Sequence, residues 1–258
     1  MTFDAVNPWM TEAAARIPAG VPAVLFMRHA ERYSNPPDGD YSRLLLTPAG
    51  IQAANAIGAS VDRRIGVLRS SRVERCCQTL REIVRCVPPQ FAPEGDIRTC
   101  PEFCELLGDP SPREEGGVGW YEYFHYLQLH DTAGSRGVTL EAEAGRILDA
   151  IFRETDGCFA ATDSLANGGT GAADSDSCAD SGNGAGTGGT TGGGLSLICS
   201  HDGQVVILAS ALFGLKTGTA WSEAWCRFAE GIFFWGRRDD FTALWRGQER
   251  RFRNFLGD

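Results

Sequence analysis

Ala23-Val24-Leu25-Phe26-Met27-Arg28-His29 runs five apolar residues together and then ends on a cation and an imidazole. The run is short and has no polar alternation, so it reads as a strand buried on both faces. Two more runs have this form. Ile65-Gly66-Val67-Leu68 leads into Ser70-Ser71, and Leu195 to Cys199 leads into Ser200-His201-Asp202-Gly203. Helical patterns lie between them. Thr47-Pro48 opens one, with Thr as N-cap and Pro at the first helical position, and Ile51, Ala54, Ile57, Gly58 and Val61 keep the helical period. Val73 to Val87 reads as a second, stopped by Pro88-Pro89. Thr139 to Arg153 and Gln204 to Phe213 read as two more. Residues 1–20 form a helix-prone arm, and Gly231–Trp235 and Phe241–Trp245 read as two late strands. Strands alternating with helices predict an α/β fold: three layers, α/β/α, around a mostly parallel central sheet.

Composition narrows the function class. The chain has 258 residues, 43% of them hydrophobic, which suits a single domain over 1–258. No apolar run approaches the roughly eighteen residues of a membrane span. The first twenty residues hold Asp4, Glu12 and Arg16 without an apolar core, so a cytoplasmic location is expected. The formal charge of −9 argues against nucleic acid as a partner. The nine Cys are an odd number and read as buried thiols. Cys100 and Cys104 have a loose ligand spacing but no second pair to complete a zinc site, so no metal and no cofactor are expected. Oligomeric state is left open.

Two stretches depart from the core pattern. Residues 88–137 are rich in Pro, Gly, Cys and aromatics and read as an excursion over the site, with a short helix around Tyr121–Leu129. His125 and His130 there read as packing within a small lid. Residues 157–194 hold twelve of the 32 Gly, with many Ser, Thr, Asp and Asn. Such a segment cannot bury enough apolar surface to offset its ordering entropy, so it reads as a disordered insertion. It lacks the Lys-Ser/Thr ending of a phosphate-binding P-loop.

Three segments carry chemistry, and each follows a strand. Arg28-His29 follows the first, Ser70-Ser71 with Arg75 the second, and His201-Asp202 the Leu195 strand. In open parallel α/β sheets the ligand sits beyond the carboxyl ends of the strands, so all three can converge on one edge. Their residue types suit attack on a phosphoryl group. Arg presents a planar fork to phosphate oxygens. A neutral imidazole nitrogen can attack phosphorus and form a covalent intermediate. A carboxylic acid can protonate the leaving alcohol and then act as base toward water. The helix that starts after His201-Asp202 can add backbone N–H donors.

At these residues the chain resembles the histidine phosphatase superfamily, the group of phosphoglycerate mutases and histidine acid phosphatases. Arg28-His29-Ala30-Glu31 is similar to the family's Arg-His-Gly-Glu. Leu46-Thr47-Pro48-Ala49-Gly50 is similar to its Leu-Thr-x-x-Gly. Ser70 to Thr79 follows its Ser-Ser-x-x-x-Arg-x-x-Gln-Thr, and Ser200-His201-Asp202 its Ser-His-Asp. Trp225 to Gly231 resembles a Trp-x-x-Phe-x-Glu-Gly block of some bacterial members. The resemblance implies a phosphoglycerate mutase-like fold and metal-independent hydrolysis of a small phosphate monoester. It implies His29 as nucleophile, with Arg28, Arg32, Arg75 and His201 binding phosphoryl oxygens. Ala30 stands where the family has Gly, and Ser34 where the acid phosphatase branch has Pro. Asn35 stands where the mutase branch has an Asn in its pocket. Asp202 falls at the acid phosphatase proton donor and is the preferred donor, because the neighbouring His201 places it. The mutase branch takes a Glu from the excursion, where Glu102 and Glu105 lie, so Glu105 is the alternative. Two other activities stay open: a phosphomutase or sugar-bisphosphate phosphatase, and a phosphate-binding module without catalysis.

Overall fold

The computed structural model describes residues 7–34, 44–104, 139–159, 193–215 and 225–255. Within them the chain forms α1 (Pro8–Arg16), β1 (Ala23–Arg28), α2 (Pro48–Ala59), β2 (Ile65–Ser70), α3 (Glu74–Cys86) and β3 (Arg98–Thr99). Then come α4 (Leu140–Phe159), β4 (Leu195–Ser200), α5 (Asp202–Phe213), β5 (Gly231–Arg237), β6 (Asp240–Trp245) and β7 (Gln248–Arg253). The strands make one sheet in the order β3-β2-β4-β1-β5-β6-β7. Its first four strands pair in parallel, as the strand–helix alternation predicts, and β5 to β7 extend it as antiparallel neighbours.

Alternation along the buried strands assigns the two layers. Val24, Phe26 and Ile198 pack with Leu148, Ile151, Val205 and Leu208, so α4 and α5 cover one face. Leu25, Met27, Leu197 and Cys199 pack with Met10, Ala54, Ile57, Leu80 and Ile83, so α1, α2 and α3 cover the other. This is the expected three-layer arrangement: the central strands β1 and β4 are buried along their length because each face meets helices. Central α5 is buried around most of its circumference, which explains why its sequence lacks a polar side. Among the described residues no helix is long and apolar enough to cross a membrane.

The helix caps follow the local chemistry. Thr47 accepts the Gly50 N–H at 3.0 Å with Pro48 first in α2. Thr139 caps α4 by accepting the Ala142 N–H at 3.0 Å, so it precedes the helix rather than opening it. That helix runs on to Phe159, past its expected end at Arg153. Gly214, in the left-handed region at φ 71°, ends α5. Two strands have no expected counterpart. Both residues of β3 are exposed, and β7 is almost wholly exposed and Arg-rich, so neither shows an apolar pattern.

The register positions the site. Arg28 of β1 lies opposite Ser200 of β4, and Ser70 of β2 lies opposite Cys199. The three strands therefore end level. The His29 N–H donates to the Ser200 carbonyl at 3.0 Å, and the Ser71 N–H donates to the Cys199 carbonyl at 2.8 Å. His29, Ser71 and His201 leave the same edge of the sheet side by side.

Candidate active site

His29 is buried, 2% exposed, at the carboxyl end of β1. Its Nδ1 lies 2.8 Å from the Ala30 carbonyl oxygen. A carbonyl only accepts, so Nδ1 carries the proton and Nε2 presents a lone pair. Arg75, in the first turn of α3, confirms this assignment: its Nε–H donates to His29 Nε2 at 3.1 Å. Burial holds the His29 pKa well below 6.5, and the guanidinium groups of Arg75 and Arg28 push the same way against the Ala30 carbonyl. The imidazole is neutral.

His201 sits 5.7 Å from His29, centroid to centroid, with the rings at 72°. The Arg75 Nη2–H donates to its Nδ1 at 3.3 Å, and its Nε2 lies 2.9 Å from the Ser71 Oγ. With Nδ1 accepting, Nε2 holds the proton and donates it to Ser71. Ser71 Oγ also accepts the Val73 N–H at 3.2 Å, which ties the ring to the start of α3. Arg75 thus bridges both imidazoles.

Arg28 completes the positive wall. Its Nη1–H donates to the Cys226 carbonyl at 2.6 Å, its Nη2 lies 3.1 Å from Asp202 Oδ2, and its guanidinium stacks 4.0 Å from the Phe228 ring centroid. Its Nε is buried without a partner among the described residues. A buried donor left unpaired is costly, and an oxyanion in the site would satisfy it. Asp202 opens α5. Its Oδ1 accepts the Gly203 N–H at 3.0 Å, and its Oδ2 accepts Trp225 Nε1–H at 3.0 Å as well as the Arg28 contact. All three contacts donate to the carboxyl.

The conserved-looking spacings of the sequence resolve into supports for this wall. Thr79 Oγ1 accepts the Ala30 N–H at 3.0 Å and donates to the Arg75 carbonyl at 2.8 Å, linking the loop after His29 to the helix that carries Arg75. Gln78 Oε1 accepts the Leu46 N–H at 2.9 Å. Gly50 is needed because a Cβ there would lie 2.1 Å from the Glu31 carbonyl oxygen. Sequence reasoning quoted Gln78, Thr79 and Gly50 without a role, and missed Trp225 and Phe228 as neighbours of Asp202 and Arg28.

The structure brings together Arg28, His29, Arg75, His201 and Asp202. Arg32 contributes a contact outside this cluster, donating to the Tyr33 carbonyl at 2.8 Å on an exposed stretch. Asn35 and Glu105 lie outside the described residues, as do His125 and His130. Glu102 pairs with Arg153 at 2.7 Å, away from His29. Its carbonyl accepts Gln204 Nε2–H at 2.7 Å, and the next carbonyl, of Phe103, accepts Ser200 Oγ–H at 2.8 Å. The excursion therefore leaves the core anchored beside the end of β4.

Comparison with known proteins gives fold likeness only. No family model matches the chain, and no curated protein matches it. Among solved structures it is similar to a mycobacterial glucosyl-3-phosphoglycerate phosphatase, at 16% identity over 88% of this chain and 100% of that one, TM-score 0.48. It is similar to a phosphoserine phosphatase of Entamoeba histolytica at 14% identity, over 83% and 90% of the two chains, TM-score 0.46. It is also similar to an ecdysone phosphate phosphatase of the silkworm Bombyx mori at 12% identity, over 83% and 91%, TM-score 0.44. With TM-scores below 0.5, these likenesses decide neither chemistry nor substrate.

Proposed function

We propose that this protein is a histidine phosphatase that hydrolyses small phosphate monoesters through a phosphohistidine on His29, without a metal. One observation carries the reading. His29 Nε2 presents a lone pair to Arg75 Nε–H at 3.1 Å, with Nδ1–H fixed on Ala30 and two guanidinium groups alongside. That is a neutral nucleophile inside a receptor for three phosphoryl oxygens.

An entering phosphoryl group draws Arg75 off Nε2 and takes its donors, along with those of Arg28. Nε2 attacks phosphorus, the bond to the leaving oxygen breaks, and a carboxylic acid gives that oxygen its proton. The resulting carboxylate takes a proton from water, the water oxygen attacks phosphorus, and the P–N bond returns its electrons to Nε2. His201 and the first turn of α5 stabilise the charge on the transferring group.

Asp202 is the proposed proton donor, freed to take a proton when Arg28 turns to the phosphoryl oxygens. Glu105 is the second reading. Its support is the pair of hydrogen bonds, Ser200 to Phe103 and Gln204 to Glu102, that anchor the chain two to three residues before it. The test is turnover of an aryl phosphate and an alkyl phosphate by the parent, His29→Ala, Asp202→Asn and Glu105→Gln. His29→Ala should be inactive on both. Asp202→Asn should slow the alkyl ester far more than the aryl ester, because a stable aryl oxyanion leaves without help. Leaving-group dependence confined to Glu105→Gln would move the donor role to Glu105. Full activity in His29→Ala would end the proposal.

A further inference from the structure

The turn from Trp225 to Glu230 touches Arg28, His29 and Asp202. Its backbone is stitched to the end of β1 on both sides of the nucleophile. The Arg28 N–H donates to the Glu230 carbonyl at 2.8 Å, and the Ala229 N–H donates to the His29 carbonyl at 3.1 Å. Its side chains reach Arg28 and Asp202. The Cys226 carbonyl takes Arg28 Nη1–H, Phe228 lies under the guanidinium, and Trp225 Nε1–H holds Asp202. The Phe228 ring also lies 5.7 Å from His29. The turn is held in an unfavourable shape, since Ala229 has φ 55° without being glycine.

Something must hold it there, and the ion pair between buried Glu230 and half-buried Arg246 does. Glu230 is fully buried. Its Oε1 accepts Arg246 Nε–H at 2.6 Å, and its Oε2 accepts Arg246 Nη2–H at 3.0 Å. Oε2 also accepts the Arg227 N–H, and Arg246 Nη2–H reaches the Trp225 carbonyl at 2.8 Å. One guanidinium thus grips Glu230 by two bonds and the Trp225 carbonyl by a third, tying the two ends of the turn together. Arg246 comes from outside the site, on the connection between β6 and β7, in the left-handed region at φ 47°. Its guanidinium is packed over Trp245 at 4.5 Å.

We infer that Arg246, acting through Glu230 and the 225–230 turn, is a positioning residue that aims Arg28 and Asp202 at the phosphoryl group. The inference rests on the phosphatase reading for its kinetic consequence but not for its effect on anion binding. Buried ion pairs contribute little net stability over apolar replacements, so holding geometry is the better account of this one. Without Arg246 the turn widens, the Cys226 carbonyl and the Phe228 ring leave Arg28, and the guanidinium loses its aim.

The experiment is a double-mutant cycle between Arg28→Met and Arg246→Met, reading kcat/KM for an aryl phosphate per folded molecule. Arg246→Met should lower kcat/KM about ten- to a hundredfold in the parent background, the scale for displacing a reacting group by about 1 Å. In the Arg28→Met background the same change should cost less than about twofold, because Arg28 is already gone and an aryl ester draws little on Asp202. Arg246→Lys should recover part of the loss. The same factor in both backgrounds, or a lower melting temperature with unchanged kcat/KM, overturns the inference. If Arg246→Met does not fold, the Glu230→Met/Arg246→Met pair takes its place in the cycle, since it leaves no unpaired buried charge. A parent that turns over no phosphate ester ends the phosphatase reading alone. Inorganic phosphate binding by calorimetry then decides: weaker binding in Arg246→Met, partly restored in Arg246→Lys, upholds the inference. Unchanged binding, or a parent that binds no phosphate, overturns it.

Discussion

Replacing Thr79 by Val removes one hydroxyl and keeps the branched shape of the side chain, so no cavity opens. Thr79 is fully buried, and so is Ala30, whose N–H it receives. In Thr79→Val that N–H faces a methyl group. The Arg75 carbonyl keeps its helical partner, so a single orphaned donor is the main cost. A buried unsatisfied N–H costs about 1–3 kcal/mol. In a chain of this size each kcal/mol lowers Tm by about 2–4 °C, so the loss should be about 2–12 °C. Activity should fall further than stability suggests. The hydroxyl links the His29–Ala30 peptide to the helix bearing Arg75, and a displacement of about 1 Å between them costs about 10²-fold in rate. Thermal unfolding and aryl phosphate kinetics on Thr79→Val and Thr79→Ser separate the effects. Thr79→Ser keeps the hydroxyl and should stay near the parent in kcat/KM. If Thr79→Val matches the parent in both Tm and kcat/KM, the hydroxyl does not hold the loop after His29 and the reasoning fails.

Gly50→Ala puts a Cβ 2.1 Å from the Glu31 carbonyl oxygen and should lower both Tm and activity by forcing α2 off the His29 loop. Gly95→Ala meets nothing within 4 Å and should change neither, so equal melting temperatures for the two variants would contradict the packing argument. The buried His29 also makes stability depend on pH. Its folded pKa lies below 6.5, so between the two values the unfolded chain binds one more proton than the folded one. The unfolding free energy should therefore fall as pH drops below about 6.5, by up to about 1.4 kcal/mol per pH unit, and this contribution should vanish above it. Urea unfolding at pH 7.5, 6.5 and 5.5 should show a shallower slope for His29→Gln than for the parent, and identical slopes would place a charged imidazole in the fold.

The parts of the site that were legible in the sequence are those that strand ends carry. Ala23–Met27 and Leu195–Cys199 are apolar on both faces because helices cover both, and a polar residue directly after such a run has only the sheet edge to occupy. That reasoning reaches Arg28, His29 and His201 without any contact being known. It stops where a role depends on pairing across the fold. Thr79 and Ala30 are far apart in the chain, and a Thr in a helix has no local mark of the N–H that it will accept. Trp225 and Phe228 stand in a motif that resembles a family block, but their contacts with Asp202 and Arg28 appear only once β5 pairs with β1 and folds their turn over Arg28. The role of Asp202 was legible only in part: its neighbour His201 places it at the site, but its ties to Arg28 and Trp225 come from packing. Strand β7 was invisible for a different reason. It is an edge strand whose side chains face solvent, and Arg250, Arg251 and Arg253 there suit an edge that must not pair with other chains.

The central claim is that His29 Nε2 takes the phosphoryl group. It is tested most directly by mixing the protein with a ³²P-labelled phosphate monoester, quenching without acid and mapping the label by mass spectrometry. The account predicts label on His29, stable to base and lost in acid, present in Asp202→Asn and absent in His29→Ala. Label on a Ser, Asp or Cys, or undiminished label in His29→Ala, would contradict it.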